Sequence, residues 1–82
     1  MSQNYPNPFN PSTRIRFGIP KTGRVALKIF DLLGRELETL VAEELAPAYY
    51  EAVWKANVAS GIYFYMIRAG DFIETKKMIL LR

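Results

Sequence analysis

The chain has 82 residues, half of them hydrophobic and 23% charged, enough for one small core but not two, and balanced like a folded domain rather than a disordered tail. It contains no cysteine and no histidine, which excludes disulfide staples, thiolate zinc sites and catalysis built on an imidazole base. The net charge of +3, from eleven Lys and Arg against eight Asp and Glu, is spread along the chain without a basic block and leaves no footprint for nucleic acid.

No apolar run approaches the roughly 20 residues of a membrane-spanning helix. Met1 to Tyr5 has neither the basic nor the apolar region of a signal peptide, so export information is expected elsewhere or upstream.

Residues 4–12 read Asn-Tyr-Pro-Asn-Pro-Phe-Asn-Pro-Ser. Three prolines this close forbid a helix and favour extended turns, so residues 1–12 form an irregular lead-in and residues 13–82 the folded body of a single domain. From Thr13 the pattern has period two: Ile15, Phe17 and Ile19 alternate with Arg14, Arg16 and Gly18 until Pro20 ends the strand. After a turn at Lys21-Thr22-Gly23, Val25, Leu27 and Ile29 repeat the pattern and run into Asp31-Leu32-Leu33-Gly34, a hairpin loop whose glycine sits where positive φ is needed.

Arg35 to Val41 is a less regular strand, with Leu37 and Val41 on one parity and Leu40 on the other. A short helix continuing through Ala42 to Leu45 competes with it. Pro47 interrupts, Tyr49 to Trp54 resumes strand character, and Lys55 to Gly61 reads as a polar loop. Ile62 to Ile67 is apolar on both faces, as expected of a central strand enclosed between two layers. A tight turn at Ala69-Gly70-Asp71 precedes a last strand reaching the end of the sequence.

Short strands separated by turn signals every 8–12 residues or so, with no confident helix, predict an all-β, immunoglobulin-like antiparallel sandwich of about seven short strands. The space between its sheets is assigned to Trp54 and the aromatics Tyr63 to Tyr65.

The carboxylates Asp31, Glu36, Glu38, Glu43, Glu44, Glu51, Asp71 and Glu74 lie in turns or at outward positions, which suits a solvated surface rather than the opposed pair of a glycosidase. Asp31, Glu43 and Glu44 lack the regular oxygen-ligand spacing of a calcium loop, so no metal and no cofactor is expected. One of the neighbours Tyr49 and Tyr50 must face outward and could stack on a sugar ring.

Folding alone leaves two features unexplained. One is the specified irregular backbone of Asn4 to Thr13, in which Asn7, Pro8, Phe9, Asn10 and Pro11 cover a sheet edge with Phe9 as anchor. The other is the terminal Thr75-Lys76-Lys77-Met78-Ile79-Leu80-Leu81-Arg82, readable equally as a last strand with gatekeeper charges or as a strand presented to a partner.

Four segments in order, Asn4 to Thr13 (NYPNPFNPST), Asp31 to Glu36 (D-x-L-G-R-E), Ala59 to Tyr65 (ASGIYFY) and Thr75 to Met78 with the closing strand, resemble the type A C-terminal sorting domain of the type IX secretion system. That domain is found on exported proteins of Bacteroidetes and related bacteria. The likeness covers nearly the whole chain, and the family is similar in turn to the Ig-like domain of the flagellar hook-capping protein.

The resemblance implies a sorting signal rather than an enzyme, carried at the end of a larger cargo. It implies passage through the periplasm, recognition by the outer-membrane translocon with its shuttle and sortase-like components, and release or anchoring at the cell surface. Carried over by position, recognition falls on Gly61, Tyr63, Lys76, Lys77, Met78, Ile79, Leu80, Leu81 and Arg82. Deletion of Lys77 to Arg82 is then expected to abolish export, and the terminal strand could support weak self-association.

Three positions depart from the family pattern. Ala48 stands where glycine is usual, Lys55 where Asp or Asn is common, and Met66 where a cation is frequent, so that Met66 either extends the core or widens an exposed apolar patch. The alternative function is an accessory module holding a secreted enzyme near a polysaccharide or surface through Tyr49 or Tyr50.

Overall fold

A computed structural model describes residues 1–81. Six strands form in chain order: β1 (Ser12–Ile19), β2 (Gly23–Phe30), β3 (Glu36–Leu45), β4 (Ala48–Lys55), β5 (Gly61–Ala69) and β6 (Phe72–Leu80). They make two antiparallel sheets, a β1-β4 pair and a four-stranded sheet in the order β3-β2-β5-β6, packed as a sandwich. Among the described residues there are thus six strands where about seven were expected; the lead-in adds only two isolated bridges, Tyr5 to Arg14 and Phe9 to Leu80.

The period-two segments bury one parity, as their alternation requires. Ile15, Phe17 and Ile19 of β1 face Val25, Leu27 and Ile29 of β2, with Trp54, Tyr63, Tyr65, Ile67, Met78 and Leu80 completing the core. At about 1.5–3 kcal/mol for each fully buried large apolar side chain, this layer is the main stabilising term. Trp54 links Phe9 and Tyr63, its ring 5.7 Å and 5.6 Å from theirs between centroids, and its indole N–H donates to Glu38 Oε1 at 3.2 Å.

β3 is a strand to its end: Ala42 to Leu45 pair with Ala26 to Gly23, which excludes the helix. Its mixed parity has a cause, since the register to β2 slips between Leu27 and Lys28 and again between Ile29 and Phe30, leaving Leu40 and Leu37 as the extra residues of two bulges.

β5 corrects a second expectation. It is central in the four-stranded sheet, yet only Tyr63, Tyr65 and Ile67 are buried; Ile62, Phe64 and Met66 lie on a face that no second layer covers. Met66 therefore widens an exposed patch rather than the core, and Phe64 does not fill the space between sheets.

The turns follow their chemistry. Gly34 has φ +84° and closes a loop in which the Gly34 N–H donates to Asp31 O and the Asp31 N–H to Arg35 O. The Asp31 carboxylate accepts the N–H groups of Leu33 and Arg35, both at 2.9 Å, and pairs with the Arg35 guanidinium at 2.7 Å. Those bonds to Arg35 come first among the causes that hold the Asp31 carboxyl below its ordinary pKa.

A depressed carboxylate pKa gives stability that is present above the unfolded value and lost as pH falls through the folded one. Acidification below about pH 4 is therefore expected to loosen this hairpin first, seen as faster amide exchange at Leu33 and Arg35. Exchange there that stays flat between pH 6 and 3, after correction for the intrinsic rate, would refute the capping role. Gly70, with φ +62°, occupies the first position of the two-residue β5-β6 turn. No non-glycine residue among those described has positive φ, so Ala48, standing where glycine is usual, enters β4 without a left-handed backbone.

Candidate recognition site at the clasped terminal strand

The lead-in is irregular by hydrogen-bond pattern and specific in its contacts. It runs between the open edges of the two sheets, along β1 on one side and β6 on the other. The Ser2 N–H donates to Arg16 O, and Tyr5 and Arg14 exchange a pair of backbone bonds at 2.9 and 2.8 Å. Further along, the Phe9 N–H donates to Ile79 O and the Leu81 N–H to Phe9 O, both at 3.0 Å. The Asn7 side-chain oxygen accepts the Ile79 N–H at 2.9 Å, and the Gln3 side-chain amide donates to Lys77 O at 2.9 Å. The outer edge of β6 from the Lys77 carbonyl to Leu81 is thus occupied by the chain's own first residues, a means of closing a sheet edge that would otherwise template pairing.

Phe9, the expected anchor of this segment, is 2% exposed and packs on Trp54. Asn10 and its proline neighbours Pro8 and Pro11 remain exposed, and Pro11 O accepts the Ala56 N–H at 2.9 Å.

A polar knot beneath the clasp escapes a reading of the sequence. Asn4 and Thr13 are both buried. The Asn4 side-chain amide donates to Thr13 Oγ1 at 2.9 Å and to Pro6 O at 3.1 Å, and Thr13 Oγ1 donates to Pro6 O at 2.9 Å. From β5, the Tyr65 hydroxyl accepts the Asn4 N–H at 2.8 Å and donates to Ser2 O at 3.0 Å. Burial of Tyr65 pushes its phenol pKa up. Every buried side-chain polar atom among the described residues has a partner, which is what makes a buried polar group tolerable. The one local signal was an Asn placed directly before the proline-rich turn, since Tyr65 lies 61 residues away.

The residues assigned to recognition separate by side. Tyr63, Met78 and Leu80 point into the core, and the Tyr63 hydroxyl donates to Ala59 O at 2.6 Å, a tyrosine corner of the kind sandwiches use. Gly61 opens β5 opposite Leu80. Lys76 is half-buried, 3.8 Å from the Glu74 carboxylate, while Lys77, Ile79 and Leu81 face outward, Leu81 being 54% exposed. Arg82 lies outside the described residues.

Elsewhere, Tyr49 is 93% exposed and its ring covers Gly18, where an added Cβ would come within 2.9 Å of it. Tyr50 turns inward and stacks on Phe17 at 5.6 Å. The pair thus offers a ligand one fully exposed ring rather than a platform. Among the described residues no three carboxylates gather into a metal-ligating group, and Asp31 is committed to its own turn.

The fold is a small antiparallel β-sandwich whose last strand is held along its outer edge by the first residues of the chain. The chain belongs to the secretion system C-terminal sorting domain family, whose model matches residues 3–81. This is a family of type IX sorting signals, not of catalytic domains, and its tail marks proteins secreted across the outer membrane to the cell surface or the extracellular space. No curated protein and no solved structure matches the chain.

Proposed function

We propose that this chain is the C-terminal sorting signal of a larger cargo, carried N-terminal to it, and that it directs that cargo through the type IX outer-membrane translocon. One observation carries the reading: the family match runs from Gln3 to Leu81 and so takes in both the lead-in and the terminal strand, the two segments that the fold joins.

In this mechanism the translocon, or a shuttle protein delivering to it, reads Lys76, Lys77, Ile79 and Leu81 directly. Tyr63, Met78 and Leu80 act from the core by keeping β6 straight, with Gly61 pairing at its end; Arg82 completes the set by sequence. Strand addition to a receptor edge is open at once along Ile73 to Thr75, whose backbone groups face outward by the alternation that turns Lys77 and Ile79 to the lead-in. Along Lys77 to Leu81 it requires the clasp to leave first. A sortase-like component acts downstream, on the joint between signal and cargo.

The test is a fluorescent reporter carrying residues 1–82 at its C-terminus, behind a general signal peptide, in a bacterium with and without a working type IX translocon. Translocon-dependent appearance at the surface or in the medium is expected; periplasmic retention in both strains would sink the proposal.

A further inference from the structure

The face of the four-stranded sheet turned away from the core carries side chains in a defined grid. The register places Phe30, Phe64 and Lys77 in one row, Lys28, Met66 and Thr75 in the next, and Ala26, Arg68 and Ile73 in a third, with Ile62 beside Ile79 at the near end. Each of the three rows therefore sets one cation among its uncharged side chains. Lys28 is neutralised by Glu36 at 3.1 Å. Arg68 and Lys77 form no ion pair among the described residues. Between the rows lies a depression of about 270 Å³, lined by Phe30, Leu32, Phe64, Met66 and Thr75 and, from the β2-β3 loop, by Asp31, whose carboxylate is paired with Arg35.

We infer that this face is a docking surface for an acidic protein segment that presents one large apolar side chain flanked by carboxylates. The depression is smaller than the roughly 300–1,000 Å³ of small-molecule pockets and suits a single side chain, and the two unpaired cations on the sheet outside it, Lys77 opposite Phe64 and Arg68 next to Met66 on the same face, supply the complementary charge at its margin. A second copy of this chain would bring like charge to like charge across the face and is disfavoured. The inference deepens the sorting reading and rests on it for the partner's place in the cell, though not for the binding itself.

The experiment has two arms. In the first, isotope-labelled residues 1–82 are titrated by NMR to millimolar concentration with three blocked peptides: a leucine between paired glutamates, the same peptide with alanine for leucine, and the same with lysines for glutamates. Amide shifts at Phe30, Phe64, Met66, Arg68 and Lys77 are expected with the first peptide alone, weakened by about tenfold or more, equivalent to 1.4 kcal/mol, in Met66→Glu. Val53→Glu, on the outer face of the other sheet, should leave them unchanged. No shift at these residues, or equal shifts with the lysine peptide, overturns the inference.

In the second arm the export reporter carries Met66→Glu with Arg68→Glu, which leaves the terminal strand unaltered, and thermal melting shows that the variant stays folded. Loss of export supports the surface, and undiminished export overturns it as the translocon contact. Should the unaltered reporter itself stay in the periplasm, the sorting reading fails while the peptide arm still decides the surface.

Discussion

Replacing Phe9 by alanine is expected to lower stability by about 3–5 kcal/mol, the usual cost of emptying a buried aromatic site. A chain of this length has roughly 4–12 kcal/mol in total, and each kcal/mol moves Tm by about 4–8 °C in so small a domain, so the melting temperature should fall by roughly 15 °C or more. The size follows from position. Phe9 is buried against Trp54 while its backbone brackets Ile79 and Leu81, so the substitution opens a cavity and frees the edge of β6 together. Thermal unfolding followed by circular dichroism decides it, and a Tm within about 3 °C of the parent would show that the clasp is ornamental.

Deletion of Lys77 to Arg82 is expected to do more. It removes Met78 and Leu80, both fully buried, and takes away the partners of Phe9, Asn7 and Gln3. Two large core side chains at about 2–5 kcal/mol each, lost together with the edge hydrogen bonds, match most of what the domain has in total, so the truncated chain should be unfolded at room temperature, with a dispersed NMR spectrum collapsing to coil positions. A well-dispersed spectrum after truncation would mean that β6 is an appendage to the fold. Loss of export on truncation therefore cannot by itself separate a lost signal from a lost fold. Lys77→Glu, which spares the core, makes that separation.

Strands with strict alternation were readable from sequence because side-chain parity is a local property: β1 and β2 were legible residue by residue, as were Gly34 and Gly70 in their turns. β3 resisted because two bulges reset its parity at Leu37 and Leu40, and nothing within the segment marks an extra residue. β5 misled for a different reason. A run apolar on both faces reports hydrophobicity and not what covers it, and the other sheet has only two strands, both on one side.

Of the candidate site, the segments were legible as motifs and Phe9 as an anchor. The split of Lys76 to Leu81 into core-facing and outward side chains needed the register with β5. The bonds from Ser2, Gln3 and Asn4 to Arg16, Lys77 and Tyr65 join residues far apart in sequence, which no window along the chain contains.

The pairing of Phe9 with Leu80 is parallel, and that direction matters once the two ends are pulled. Tension applied at the start of the lead-in and resisted at the end of β6 draws the two segments past each other along their length. The Phe9–Ile79 and Leu81–Phe9 bonds then carry the strain together instead of opening in turn like a zipper. A domain tied in this way should hold its shape under tension and yield abruptly. Single-molecule stretching from the two termini should record one high-force rupture, much weakened in Phe9→Ala, and a gradual low-force extension of the parent chain would contradict it.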